Sequence, residues 1–350
     1  MTPSQQYRYS KRKGLLFLVL AVIALLISMV GDIATGPGAY SLQSVLGEIF
    51  GAIFSTETDD PRRHLIIWDI RLPTALLAVL VGAMLGLAGA GIQTILDNPL
   101  AEPFTLGISS AASFGAALAI VLGAAVFPIL GTYLTMLSAF VFSILTALLL
   151  YLFTRLRGAS SETLVLVGIA LLFSFNALLG LLQFAATDVQ LSQIVFWMMG
   201  SLGRADWQSV TLCAVVLLLV LPLLIGRSWA LTALRMGDDK AASLGVNVRR
   251  LRIEVLAGAS LLAATTVSFV GTVIFVGLVG PHIARMLVGE DQRLFLPMSA
   301  LCGALLMSLT SILSKSVTDG VVYPIGIITA LIGVPFFLSL VLKAQKGRWQ

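Results

Sequence analysis

Residues 104–153 read FTLGISSAASFGAALAIVLGAAVFPILGTYLTMLSAFVFSILTALLLYLF and contain no Asp, Glu, Lys or Arg over fifty positions. A helix that crosses the hydrocarbon core of a bilayer needs about 20 residues, because the core is about 30 Å thick and each residue rises about 1.5 Å. The stretch therefore has room for two membrane-spanning helices. We expect the turn between them near residues 127–131, FPILG.

The rest of the chain has the same apolar character. Of its 350 residues 58% are hydrophobic and 11% are charged, and the mean hydropathy is +1.00. A soluble domain is typically about 25% charged, so this chain cannot cover a water-facing surface. The pattern predicts an all-α polytopic membrane protein whose helical bundle covers residues 14–342. The ten predicted spans are 14–31, 74–95, 104–124, 133–153, 163–185, 207–226, 251–270, 271–288, 295–314 and 324–342.

Basic residues fall unevenly on the two sides of these spans. Seventeen of the 22 Lys and Arg residues lie on the side that carries both termini, and five lie on the other side. By the positive-inside rule, both termini face the cytoplasm. The net charge of +5 then comes from the membrane flanks and needs no nucleic acid as a partner. Residues 8–13 and the apolar run after them are similar to a signal peptide, but we interpret the run as an uncleaved first span.

The longest cytoplasmic loop in this topology covers residues 227–252 and carries six basic and two acidic residues. Its centre, MGDDKAASLG at residues 236–245, predicts a short helix. Asp238 and Asp239 suit the positive end of the helix dipole, and Gly245 can end the helix. Such a helix can bind another protein. A solvated connector explains the residues equally well, so both interpretations stay open.

Two further patterns concern packing. Residues 41–54 place apolar side chains three and four positions apart, which predicts an amphipathic helix along the outer interface. In the second span, Gly82, Gly86 and Ala90 recur every four residues. Small residues at this spacing let helices approach closely in lipid, and we interpret them as packing residues rather than as a substrate site.

Motifs for catalysis and nucleotide binding are absent from the sequence. It has no GxxxxGK[ST] phosphate loop, no HExxH, no CxxC pair and no GxSxG. His64 and His282 fall on opposite sides of the predicted membrane and cannot share a metal. We therefore expect no catalytic residue, no metal site and no bound cofactor. The spans also carry almost none of the charged residues that mark ion-coupled transporters, so we expect another protein to supply the energy for transport.

Several motifs follow one another in an order and spacing typical of one family. They closely resemble the FecCD family of permeases, the membrane subunits of type II ABC importers for iron-siderophores, haem and cobalamin. The resemblance covers residues 71–342, and its NPLAEP and GPHIAR motifs are specific. The motifs are RLP at 71–73, NPLAEP at 98–103, LGIS at 106–109, WMMGSL at 197–202, GPHIAR at 280–285, PIG at 324–326 and GVPFF at 333–337.

The resemblance implies a single permease domain, residues 1–350, in the bacterial cytoplasmic (inner) membrane. It implies pairing with a second copy or a paralogue, with the translocation path along the dimer axis. Two ABC ATPase subunits would bind inside and use ATP and Mg²⁺, and a substrate-binding protein would dock outside. The family's coupling helix falls on residues 235–247. The implied ATPase-coupling residues are Arg235, Gly237, Asp238, Asp239, Ala242, Leu244 and Gly245.

The resemblance also implies a cytoplasmic gate and a docking surface. The gate lies at the NPLA motif and in the short loop before the fifth span, which here means Asn98, Leu100, Ser160 and Ser161. The docking surface presents basic residues to the binding protein. Its implied members are Arg71 and Lys315, with Arg62 and Arg63 as compensating cations. The chain departs from the family pattern at Asp97, Thr74, Ser311 and Val322.

The substrate is left open by these residues. A ferric siderophore is the expected cargo because that class dominates the family, and haem, cobalamin and an oxyanion such as molybdate are alternatives. Two other classes of function also stay open. An ion-coupled secondary transporter would need an essential buried acid, for which Asp188 is the nearest candidate although it reads as a loop residue. An intramembrane enzyme would need paired catalytic side chains within spans, and the sequence offers none.

Overall fold

The computed structural model describes residues 3–38, 40–53, 60–123, 131–157, 161–318 and 320–346. Almost all of the described residues are helical, and the β-structure among them is one isolated bridge between Thr318 and Val321. The helices are α1 (Pro3–Ala34), α2 (Leu42–Ile53), α3 (Pro61–Leu65), α4 (Leu72–Leu96), α5 (Ile108–Leu118), α6 (Gly131–Arg157), α7 (Ser161–Ala185), α8 (Asp188–Met198), α9 (Trp207–Gly226), α10 (Ser228–Leu234), α11 (Asp238–Ser243), α12 (Val248–Val270), α13 (Val276–Val288), α14 (Gln292–Ser316) and α15 (Ile325–Lys346). π-Helical turns join α3 to α4 (Ile66–Arg71) and extend α5 (Ala119–Gly123).

Helices occupy all ten predicted spans, so the predicted all-α membrane fold is confirmed. Seven helical stretches among the described residues are long and apolar enough to cross a bilayer. Three shorter apolar stretches, Ile108–Gly123, Val276–Val288 and Ile325–Ser339, occupy the remaining spans. The short helices predicted in the two loops are also present, as α2 in the loop predicted to be outer and α11 in the loop predicted to be inner.

Two predictions are wrong in detail. The span predicted for residues 271–288 begins as non-helical chain, because Gly271 (φ 84°) ends α12 and Phe275 (φ 70°) delays the start of α13. Asp188, interpreted as a loop residue, is the first residue of α8, whose N-terminus is closed by a reciprocal pair of hydrogen bonds between Thr187 and Gln190. The turn predicted at residues 127–131 lies outside the described residues, except for Gly131.

The centre of the molecule is α4, in which every residue from 81 to 96 is buried. Its small residues allow two neighbouring helices to touch its backbone. A Cβ atom added at Gly82 would collide with the carbonyl of Gly303 in α14, and one added at Gly89 would collide with the carbonyl of Gly277 in α13. Gly86 lies equally close to the carbonyl of Ser299. The glycines therefore act as packing residues, as their spacing predicted.

Helix α7 lies at the periphery. Among its 25 residues only Leu164, Gly168, Phe175 and Leu179 are buried in the isolated chain. Large apolar side chains such as Phe173, Leu181 and Phe184 are exposed. Such a face is stable next to lipid or against another protein, but not in water.

Candidate coupling site and outer cavity

The loop predicted to be cytoplasmic, residues 227–252 (the inner loop), contains two short helices. Helix α10 and helix α11 are joined at Gly237, whose φ of +99° is a conformation that suits glycine. Ala241 is fully buried and anchors α11, while Met236 and Leu244 are about half exposed. The other predicted ATPase-coupling positions around α11 are also exposed, except for Arg235, which is partly buried. An anchored helix with exposed apolar ends fits a binding element better than a solvated connector.

Arg252, at the start of α12, connects this loop to two other helices. Its side chain is 8% exposed. The guanidinium donates to both carboxylate oxygens of Asp238, at 2.9 and 3.0 Å. It also donates to the Ile95 carbonyl at 3.1 Å and to the Ser161 hydroxyl at 3.3 Å. One side chain thus holds α11, the last turn of α4 and the first residue of α7.

A second ionic cluster lies beside it. Arg235 forms ion pairs with Asp97, immediately after α4, and with Glu290 at 3.1 Å. Glu290 also pairs with Arg285 at 2.9 Å, and Arg285 donates to the Gln93 side-chain oxygen at 3.3 Å. Asp97, which departs from the family pattern, therefore has a specific basic partner in the coupling segment.

The predicted gate residues lie next to these clusters. Asn98 accepts a hydrogen bond from the Leu100 backbone N–H at 2.9 Å, which closes a tight turn after α4. Leu100 is 41% exposed. Ser161 contacts both Arg252 and the Ile95 carbonyl. Ser160 lies outside the described residues.

On the side predicted to face outward, the two main docking candidates, Arg71 and Lys315, form contacts within the chain. Arg71 donates to the carbonyls at the end of α1 and just beyond it, and its guanidinium lies 4.9 Å from the Tyr40 ring centre. The four accepting carbonyls, at 2.8 to 3.0 Å, belong to Ile33, Ala34, Pro37 and Gly38. Lys315 pairs with the fully buried Asp32 at 2.8 Å. Arg62 is exposed and Arg63 is partly buried.

A cavity of about 1230 Å³ opens beside these cations. Arg71 and Lys315 lie in its wall together with Thr74 and Tyr323. The wall also includes Arg204, an exposed cation that was not assigned a role from the sequence. The cavity thus combines positive charge, hydroxyl groups and apolar surface.

Sequence reasoning missed Arg252, Asp97 and Arg204 as members of these sites. Arg252 was counted only as one of the basic residues on the cytoplasmic flank. The available signal was its place at the start of an apolar span, fourteen positions after Asp238. Nothing in the sequence pointed to its contacts with Ile95 and Ser161.

Comparison with known proteins identifies the family and several similar proteins. The FecCD transport family matches residues 16–343. The hemin transport system permease protein HmuU of Yersinia pestis is 35% identical over 96% of each chain. The molybdate import system permease protein MolB of Haemophilus influenzae is 36% identical over 94% of this chain and 96% of its own. An inward-facing structure described as a metal-chelate type ABC transporter superposes with a TM-score of 0.80 at 34% identity, covering 93% of this chain and 99% of that one.

Proposed function

The chain belongs to the FecCD transport family and is the permease of an ABC importer, and from this premise we propose that it carries a ferric siderophore or a related metal chelate into the cytoplasm. In this proposal a binding protein delivers the chelate to the outer cavity. A separate ATPase drives its release on the inner side.

The size of the outer cavity supports a large cargo over a bare oxyanion. Pockets for small molecules typically measure about 300–1,000 Å³. The cavity of about 1230 Å³ exceeds that range and is far larger than a bare oxyanion needs. Its cations suit a chelate with negative charge. Haem, cobalamin and molybdate are the alternative cargoes, since the similar proteins include a hemin and a molybdate permease.

The proposed assembly contains a second copy of this chain or a paralogue, two ATPase subunits and a binding protein. The exposed apolar residues that flank α11, Met236 and Leu244, support ATPase binding at the inner loop. The exposed face of α7 supports contact with lipid or a second permease. We further propose that the chain forms one domain in the bacterial cytoplasmic membrane with both termini inside. ATP and Mg²⁺ would bind to the ATPase and not to this chain.

The outer cations retain a docking role in this proposal, in two different ways. Arg62 is exposed and can meet an acidic patch directly, with Arg63 beside it. Arg71 and Lys315 are tied to the end of α1 and would shape the rim that the binding protein touches. Exposed ion pairs contribute about 0–1 kcal/mol each, so these residues would mainly orient the partner.

Reconstitution tests the function directly. The chain, its co-purifying ATPase subunit and the binding protein are placed in vesicles, and uptake of radiolabelled ferric siderophore is compared with uptake of haem, cobalamin and molybdate. We expect ATP-dependent uptake of the ferric siderophore above the other three. Uptake without ATP, driven by a proton or sodium gradient, would contradict the proposal. Preferential uptake of another compound would change the assigned cargo but would leave the assignment as an ABC importer intact.

A further inference from the structure

Arg252 lies where the coupling segment, the end of α4 and the start of α7 meet. Its partners come from all three elements. Asp238 begins α11, Ile95 lies three positions before Asn98, and Ser161 is itself a predicted gate residue. Arg252 therefore contacts the inner loop and both gate elements, whereas the Arg235–Asp97 ion pair joins the coupling segment to the residue after α4.

The geometry is specific for arginine. A planar guanidinium can grip both oxygens of a carboxylate and still point other N–H groups elsewhere, whereas a lysine ammonium is a point charge. Here the two terminal nitrogens hold Asp238 and the Nε–H reaches the Ile95 carbonyl. That carbonyl lies in the last turn of α4, where helix carbonyls lack intrahelical partners and a positive charge is favourable.

Burial separates Arg252 from the neighbouring surface arginines. Its side chain is 8% exposed, whereas Arg250 is 74% exposed and pairs with Glu254 on its own helix. A buried charge favours a fixed arrangement with its carboxylate partner, because losing that carboxylate would weaken its compensation. Asp238 is about half exposed, so the arginine is the fixed end of this pair and the coupling segment is the accessible end.

We propose that Arg252 is the positioning residue that transmits movement of the coupling segment to the cytoplasmic gate. The inference rests on the proposed function, since it assumes that an ATPase moves α11. When α11 shifts, Asp238 pulls on the guanidinium, and the guanidinium displaces the end of α4 and the start of α7 together. Both gate elements then respond to one motion.

The test measures uptake and ATP hydrolysis in the same vesicles, with the full chain and its co-purifying ATPase subunit. The variants are Arg252→Gln, Arg252→Lys and Asp238→Asn, and the matched control is Arg250→Gln. We expect uptake per ATP hydrolysed to fall about tenfold in all three variants, a size typical of coupling between linked sites. Arg252→Lys is expected to lose coupling as well, because an ammonium cannot reproduce the planar guanidinium that donates to both oxygens of Asp238. The control keeps the wild-type ratio.

A second measurement needs no cargo. A Leu100→Cys reporter is labelled with a thiol reagent with and without ATP, and the native Cys213 and Cys302 are buried and contribute little background. We expect ATP to change the labelling rate when Arg252 is present and to leave it unchanged in Arg252→Gln. A purely structural role for Arg252 would alter the rate equally with and without ATP.

The outcomes separate the inference from the function. If the wild-type chain does not assemble with any ATPase, the proposed function fails. If the wild type is active and both Arg252→Gln and Asp238→Asn keep its uptake-to-hydrolysis ratio, only the inference is overturned. If Arg252→Gln does not assemble, Asp238→Asn decides, because its side chain is half exposed and an amide has the size of the carboxylate that it replaces. A normal ratio in that variant overturns the inference.

Discussion

Helices α4 and α7 are both 25 residues long and similarly apolar, yet twenty residues of α4 are buried and only four of α7. The difference follows from side-chain size. Helix α4 carries Gly82, Gly86 and Gly89 on surfaces that touch the backbones of α13 and α14. Helix α7 carries exposed Phe and Leu side chains. Hydropathy thus identifies a span, whereas the placement of small residues identifies which span lies in the centre.

The largest effect is expected at the glycines of the two helices. Gly86→Leu should cost at least about 3 kcal/mol, because the new side chain collides with the Ser299 carbonyl and two backbones would have to separate. Gly180→Leu in α7 is the matched control, since a Cβ there meets nothing within 4 Å. It should not lower stability by more than about 0.5 kcal/mol. Yield of monodisperse protein and thermal unfolding in detergent measure both. Equal losses would refute the comparison.

A smaller effect is expected from shortening leucines. Leu87→Ala in α4 removes a fully buried side chain and should cost about 3 kcal/mol through the cavity it leaves. Leu181→Ala in α7 removes a side chain that is 68% exposed and should cost less than about 0.5 kcal/mol. The unfolding temperatures of the two variants, compared with that of the wild type, measure both losses of stability. A cost at Leu181 comparable with that at Leu87 would show that α7 packs against a second copy under the conditions used.

The smallest effect is expected at the ion pair after α4. Asp97→Asn removes one partner of Arg235, which keeps Glu290 at 3.1 Å. Asp97 is 78% exposed, so the loss should be about 0.5 kcal/mol or less and should shrink further at high salt. Thermal unfolding at low and high ionic strength tests this. A loss as large as that of Leu87→Ala would mean that charge rather than packing fixes the end of α4.

The predictions that the structure confirms rest on local patterns in the sequence. Runs without charge gave the ten spans, the glycine spacing gave the close packing of α4, and Asp238 with Gly245 gave the helix in the inner loop. The missed features depend on contacts between distant parts of the chain. Arg252 meets Ile95 and Ser161, which are 157 and 91 positions away. Lys315 meets Asp32, which is 283 positions away. No periodic pattern in the sequence indicates which distant residues will be in contact.

The thirteen residues of α13 have a consequence for how the protein is made. At about 1.5 Å per residue they cover about 20 Å, which is short of the about 30 Å of a bilayer core. The segment is therefore a poor substrate for insertion by itself during synthesis. In the folded chain it is held by close backbone contacts, at Gly89 of α4 and at Gly303 of α14. Stable residence of this segment in the membrane therefore depends on helices that are far from it in the sequence.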